Sequence, residues 1–309
     1  MFRRFAFLIA LLFAVSCTTG DNPIRTFHLA VSPSPSAAAF PASVTDFQGR
    51  SVAISKRPER IVSIGPSNTE FLFALGAGDR VVGDDDFSDE PAAAKTKEHV
   101  GGVKVNLEKV VSLKPDLIVT VKFSDGTIEA LSQSSAAVLV VDPQGAADVA
   151  RSATLIGQAI GADGAKLASD IQAQLDAVKA KTDAAPKLKV FHEVDASDPA
   201  KIYTVGPGSF VNDLITLAGG MNVFASAKTA YPTVSGEDIL RSDPDVIVLG
   251  DALYGTSIES ITSRPGWAAL GAVKNRRVYA GLVLFGRPGP RLGEAAQEYA
   301  KLVHPELFR

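Results

Sequence analysis

The chain has 309 residues, 46% hydrophobic and 21% charged, with 31 Lys and Arg against 34 Asp and Glu and a net charge of −3. At about 150 residues per domain this length predicts two domains, and the missing basic excess argues against a nucleic-acid partner. A single cysteine excludes an internal disulfide, and the four histidines are too scattered to suggest a metal site.

In chain order, Met1-Phe2-Arg3-Arg4 is basic and residues 5–15 are an unbroken apolar run. Such a run has the length of an export-signal core and is too short to cross a bilayer as a helix. It ends in Ala14-Val15-Ser16-Cys17, which looks like a bacterial lipobox. There small residues admit a signal peptidase and the Cys17 thiol accepts a diacylglyceryl group. Residues 1–16 are therefore read as a signal peptide and 17–43 as a lipid-anchored flexible linker. Ser, Thr, Pro and Ala dominate that linker, and they bury too little apolar surface to order it. The expected location is the outer face of the cell membrane, periplasmic or extracellular.

Beyond the linker, apolar β-rich runs alternate with helical patterns, which predicts parallel sheets wrapped by helices. Strands are expected over 60–64, 117–121 and 138–141, with a helix over 68–75 that Asn68 caps and Gly76 stops. Over 162–184, Leu167, Ile171, Leu175 and Val178 share one helical face, and about 22 residues of helix span roughly 33 Å. Strands over 189–194 and 246–249 and a helix over 210–217 follow. The halves repeat one plan. Glu108 and Glu237 each precede a strand-opening Pro-Asp (Pro115-Asp116 and Pro244-Asp245) by the same spacing, and Gly65-Pro66 and Gly206-Pro207 each precede a helix. The reading is an α/β protein with an N-terminal lobe over 44–161, a linking helix over 162–186 and a C-terminal lobe over 187–309. One rigid linking helix predicts limited closure.

Six segments in combination carry a family resemblance. They are Pro58-Glu59-Arg60-Ile61-Val62-Ser63, Pro66-Ser67-Asn68-Thr69-Glu70, Asn106-Leu107-Glu108, Leu113-Lys114-Pro115-Asp116-Leu117-Ile118, Val234-Ser235-Gly236-Glu237 and Arg287-Pro288-Gly289-Pro290-Arg291. From about residue 44 to 304 the chain resembles the substrate-binding lipoproteins of iron-siderophore and cobalamin ABC importers. That resemblance implies two Rossmann-like lobes with parallel sheets joined by a single long helix, the class III substrate-binding fold. It implies a small-molecule ligand, a permease dimer as partner, no cofactor and no catalysis. The second and third segments are closest to the cobalamin branch, where an aromatic follows the second strand, as Phe87 does here. Gly102-Val103-Lys104 stands where that branch has a tryptophan. The expected ligand is a corrinoid. The alternatives are a ferric siderophore, haem held by Tyr231 or Tyr254, or an exported enzyme on this fold. For the enzyme, a phosphate-cradling loop and a nucleophile elbow are missing, and His28, His99, His192 and His304 lie far apart in sequence.

Ligands of open α/β sheets collect beyond the carboxyl ends of the strands. That rule nominates Pro66, Ser67, Asn68, Phe87, Lys122 and Phe123 from the first lobe. From the second it nominates Gly206, Pro207, Gly208, Ser209, Tyr231, Tyr254, Phe285 and Arg287. Aromatic faces suit a flat macrocycle, and Lys122 and Arg287 suit carboxylate or phosphate edges. For each residue singly, a loop-packing role stands beside ligand contact. Asp84-Asp85-Asp86 is read as a solvated turn at the cleft rim rather than a metal site. Glu108 and Glu237 are ordinary helix-start carboxylates by position. The resemblance implies instead that each meets an arginine of the permease.

Overall fold

A computed structural model describes residues 39–309; the signal peptide, Cys17 and the linker up to residue 38 lie outside the described residues. Strands β1 (Ala42–Thr45) and β2 (Ser51–Ile54) form an antiparallel hairpin. The first large sheet contains β3 (Ile61–Ile64), β4 (Val81–Asp84), β5 (Glu98–His99), β6 (Leu117–Thr120) and β7 (Ala137–Val140). Its order is β5-β4-β3-β6-β7 and every pairing is parallel. Helices α1 (Pro66–Ala74), α2 (Leu107–Ser112) and α3 (Thr127–Leu131) make its crossovers. All four residues of β3 and of β6 are buried, because helices or loops cover both faces of the sheet. Ile61, Leu117, Val119 and Leu139 pack into one core, and their neighbours Val62, Ile64, Ile118, Val138 and Val140 into another.

The second sheet contains β8 (Leu188–Asp195), β9 (Ile202–Thr204), β10 (Gly220–Asn222), β11 (Thr233–Val234), β12 (Val246–Leu249) and β13 (Val278–Ala280). Its order is β11-β9-β8-β12-β13, with β10 on the amino-terminal part of β8. The expectation of parallel sheets needs a correction here, because β9 is antiparallel to both β8 and β11. Helices α6 (Phe210–Leu217), α7 (Gly236–Ser242), α8 (Ile258–Ser263) and α9 (Gly271–Lys274) connect these strands.

Between the sheets run α4 (Ala146–Ile160) and α5 (Gly164–Thr182), and α10 (Leu292–Val303) closes the chain's last layer. The linking helix α5 is capped by Asp163, whose side chain accepts from the Lys166 N–H; its 19 residues span about 28 Å. Ile171, Leu175 and Val178 are buried, as their spacing predicts. At the crossing with α4, a Cβ on Gly164 would stand 2.1 Å from the Ala153 carbonyl oxygen, so only glycine lets the helices meet there. One apolar core runs from the inner face of the first sheet through α4, α5, α6 and α10 to the second.

The repeated segments are structurally equivalent in detail. Asp116 accepts from the Glu59 and Arg60 N–H groups ahead of β3, and Asp245 accepts from the Lys189 N–H near the start of β8. Lys114 and Asp243, each just before the proline, adopt left-handed φ values of 48° and 42°. In both lobes, then, the Pro-Asp fixes the start of the neighbouring central strand.

Candidate functional site

The loops after the strands' carboxyl ends bring the lobes together. Arg287, beyond β13, donates through Nη1 to Asp89 and through Nη2 to the Phe87 carbonyl (3.4 Å), both beyond β4. At the start of α4, the Ala146 N–H donates to Asp213 of α6 at 2.8 Å.

On the first lobe, α1 starts at Pro66 directly after Gly65, whose φ of 110° serves as the cap. Proline suits that position because its missing N–H would be unpaired anyway. Asn68 is therefore inside the helix rather than at its cap. It is fully buried, and its amide donates to the Ile64 and Val141 carbonyls at 3.2 Å each. This corrects its nomination as a cleft residue: the side chain ties α1 to the ends of β3 and β7. Pro66 and Ser67 are half-buried. Phe87 is 51% exposed and its ring lies over Gly102, where an added Cβ would come within 3.1 Å of it. Glycine in Gly102-Val103-Lys104 thus makes room for the aromatic, and Val103 beside it is 87% exposed. Lys122 is exposed and lines a polar groove of about 460 Å³ with Phe47, Asp142, Asp148 and Arg151. Burial pushes the Asp142 carboxyl above the usual range, against the hydrogen bond and charge of Lys122. Phe123 packs partly onto the outer core of the first lobe.

The acidic triplet is a second correction. Asp84 and Asp85 are buried and only Asp86 is exposed. Asp85 accepts from the Gly65 N–H at 2.7 Å, the Phe87 N–H at 2.9 Å and the Ser88 hydroxyl at 2.9 Å. It braces the loop carrying Phe87 against the start of α1.

On the second lobe, Pro207 and Gly208 are exposed, whereas Gly206 is buried, with the Thr229 carbonyl 2.3 Å from where its Cβ would stand. Ser209 caps α6 through the Asn212 N–H and is itself buried, so its hydroxyl is committed locally. Tyr231 is about half exposed, and Tyr254, in the turn after β12, is 90% exposed. Phe285 is a core residue rather than a cleft one, its ring 4.9 Å from that of Tyr299. Arg287 is also corrected: its guanidinium is engaged by Glu70 and Asp89 of the first lobe.

Four apolar residues that sequence reasoning missed are exposed in loops that follow strands: Val103, Leu253 next to Tyr254, and Leu282 and Val283 after β13. Apolar side chains in loops that follow strands were the available signal. His192 is buried, its Nδ1 3.1 Å from the Tyr299 hydroxyl, and burial lowers its pKa to about 4. His304 is buried as well, and His99 lies on the edge strand β5.

Two α/β sheets, one linking helix and strand-end loops that meet across the lobes are the plan of a two-lobed binding protein. A family model described as "Periplasmic binding protein" matches residues 61–281. The chain belongs to that family. It is 37% identical, over 87% of its own length and 88% of the relative's, to an uncharacterized ABC transporter substrate-binding lipoprotein, YvrC, of Bacillus subtilis. The crystal structure of the periplasmic vitamin B12 binding protein BtuF of Vibrio cholerae matches with a TM-score of 0.68 at 27% identity, covering 80% of this chain and 97% of that one. A possible iron-binding (periplasmic solute-binding) protein from Staphylococcus epidermidis matches with a TM-score of 0.69 at 29% identity, covering 81% of this chain and all of that one. The fold is the class III form of the family, and the family's members are transport binding proteins, not enzymes. No helix among the described residues is long and apolar enough to cross a membrane.

Proposed function

We propose that this periplasmic binding protein is an exported lipoprotein, anchored through Cys17, that captures a corrinoid and delivers it to an ABC permease. The observation that carries the ligand class is the set of exposed apolar side chains in loops of both lobes. Phe87 and Val103 stand on one lobe; Tyr231, Leu253, Tyr254, Leu282 and Val283 stand on the other. Gathered at the mouth between the lobes, these side chains offer an apolar ligand a surface. A large, mostly apolar macrocycle fits it better than a compact anion, since Arg287 is already engaged by carboxylates of the protein. The vitamin B12-binding relatives support the same class. A ferric siderophore is the second reading, supported by the iron-binding likeness and by Lys122 at the edge of its groove. Haem ligation by the exposed Tyr231 or Tyr254 is a third.

Glu108 and Glu237 are exposed near the starts of α2 and α7 and make no ion pair with the described residues. That leaves both carboxylates free for permease arginines. Titration calorimetry with cyanocobalamin, a ferric hydroxamate and haem tests the ligand reading. Corrinoid binding with a matching thermal shift is expected, because ligand well above its Kd adds a few kcal/mol to stability. Silence with every corrinoid, alongside tight siderophore binding, transfers the assignment.

A further inference from the structure

Two of the segments that carry the family resemblance, Pro66-Ser67-Asn68-Thr69-Glu70 and Arg287-Pro288-Gly289-Pro290-Arg291, meet across the lobes. The Glu70 side chain is 4% exposed and has no cationic partner on its own lobe among the described residues. Arg291 donates to both of its oxygens, Nε to Oε2 at 2.9 Å and Nη2 to Oε1 at 3.1 Å. Arg287 adds Nη1 to Oε1 at 3.3 Å; the same Nη1 also donates to Asp89, and Nη2 donates to the Phe87 carbonyl. Between the two arginines, Gly289 packs close to Ser67, whose Cα would lie 3.7 Å from an added Cβ. The hydrogen bond from Arg287, with its charge, outweighs burial and holds the Asp89 carboxyl below the ordinary range. A carboxylate this buried is costly unless paired, and both of its partners belong to the other lobe.

We infer that Arg287 and Arg291 are positioning residues. With Glu70 they latch the lobes at one separation before any ligand arrives, and through Asp89 and the Phe87 carbonyl they hold the Phe87 ring at the cleft from the opposite lobe. Arginine is required at position 287 because its planar fork reaches Glu70, Asp89 and the Phe87 carbonyl at once, which an ammonium does not. The latch stands on geometry alone; its effect on affinity rests on the proposal that ligand binds against Phe87.

The test uses the full chain with Cys17→Ser, spin-labelled at Gln133→Cys and Lys274→Cys, exposed positions on separate lobes. Pulsed electron resonance without ligand should give one narrow distance distribution. In Arg287→Met/Arg291→Met it should broaden. An unchanged distribution overturns the latch. Glu70→Gln should broaden it too; if that variant does not fold, Asp89→Asn supplies the second measurement, since it leaves the buried pair intact and frees only the Phe87 loop. Asp89→Asn should keep the narrow distribution yet weaken cyanocobalamin binding by about three- to tenfold, the cost of re-ordering a freed side chain and its loop. Arg287→Lys should not restore affinity, and full affinity in both Arg287→Lys and Asp89→Asn overturns the positioning role. A parent protein that binds no corrinoid refutes the ligand assignment, while the distance measurement still decides the latch.

Discussion

At the carboxyl end of β4 the Asp84 side chain is fully buried, and neither of its oxygens accepts a hydrogen bond. His99 Nδ1 lies 3.1 Å from Oδ1 but off the hydrogen-bonding line. Burial raises the Asp84 pKa from 3.8 to about 7, against the opposing charges of His99 and Lys97. Because the folded-state value is the higher one, the folded chain holds the extra proton between these two pH values. The resulting stability is complete below the unfolded value and is lost as pH rises through about 7. Asp84→Asn removes this dependence. In urea titrations the parent should lose roughly 1–4 kcal/mol relative to the variant between about pH 4 and pH 8. His192, whose lowered pKa acts in the opposite direction, is present in both proteins and cancels in the difference. Parallel stability curves would refute the assignment. In sequence, three consecutive aspartates look the same whether solvated or buried, and it is the parallel pairing of β4 with β3 and β5 that takes Asp84 out of water. Arg287 was illegible for a related reason, its carboxylate partners lying 217 and 198 positions away.

Regular elements were far easier to read. The strand over 246–249 and the helix over 210–217 match β12 and α6 residue for residue, because apolar periodicity and the Ser209 cap are local signals. The linking helix was legible from its apolar face, and its ends came within a few residues. Less legible were the start of α1, where Gly65 took the cap expected of Asn68, and the antiparallel β9, a three-residue strand with no periodicity to detect. What holds α4 against α5 was also hidden, since glycine carries no sign of what it approaches. Gly164→Ala must force the Ala153 carbonyl away, and should destabilise the protein by about 1–3 kcal/mol or more, as overpacking does. Gly208→Ala is the control: it meets no atom within 4 Å, so its cost is confined to its φ of +82°. Equal urea midpoints for Gly164→Ala and the parent would show that the crossing relaxes freely.

For the whole molecule, the proposed docking by the two exposed glutamates would separate transport from capture. Glu108 and Glu237 sit on α2 and α7, the corresponding helices of the two repeated segments, and neither is among the residues proposed to meet the ligand. In Glu108→Ala/Glu237→Ala, ligand affinity should stay within about twofold of the parent. Uptake through the cognate permease should fall much further, each lost charge-assisted pair costing on the order of 1.5–3 kcal/mol. Reversal to Lys should be worse, since it sets like charges face to face. Normal uptake by the double alanine variant, or loss of the ligand itself, counts against two-point docking.

The apolar layer of α4, α5, α6 and α10 runs unbroken under both sheets, so the largest core belongs to both lobes, and each sheet has only a smaller core of its own on its outer face. Parting the lobes would expose that shared core on both of them. Val190, Val246 and Val248 of the second sheet belong to the same cluster as Ile61, Leu117 and Val119 of the first. The two halves are therefore expected to melt together, and a chain cut between α5 and β8 leaves each fragment with a raw hydrophobic face. Heat or a mutation in that shared core is felt by both halves, and a ligand bound at the proposed site between them would stabilise both.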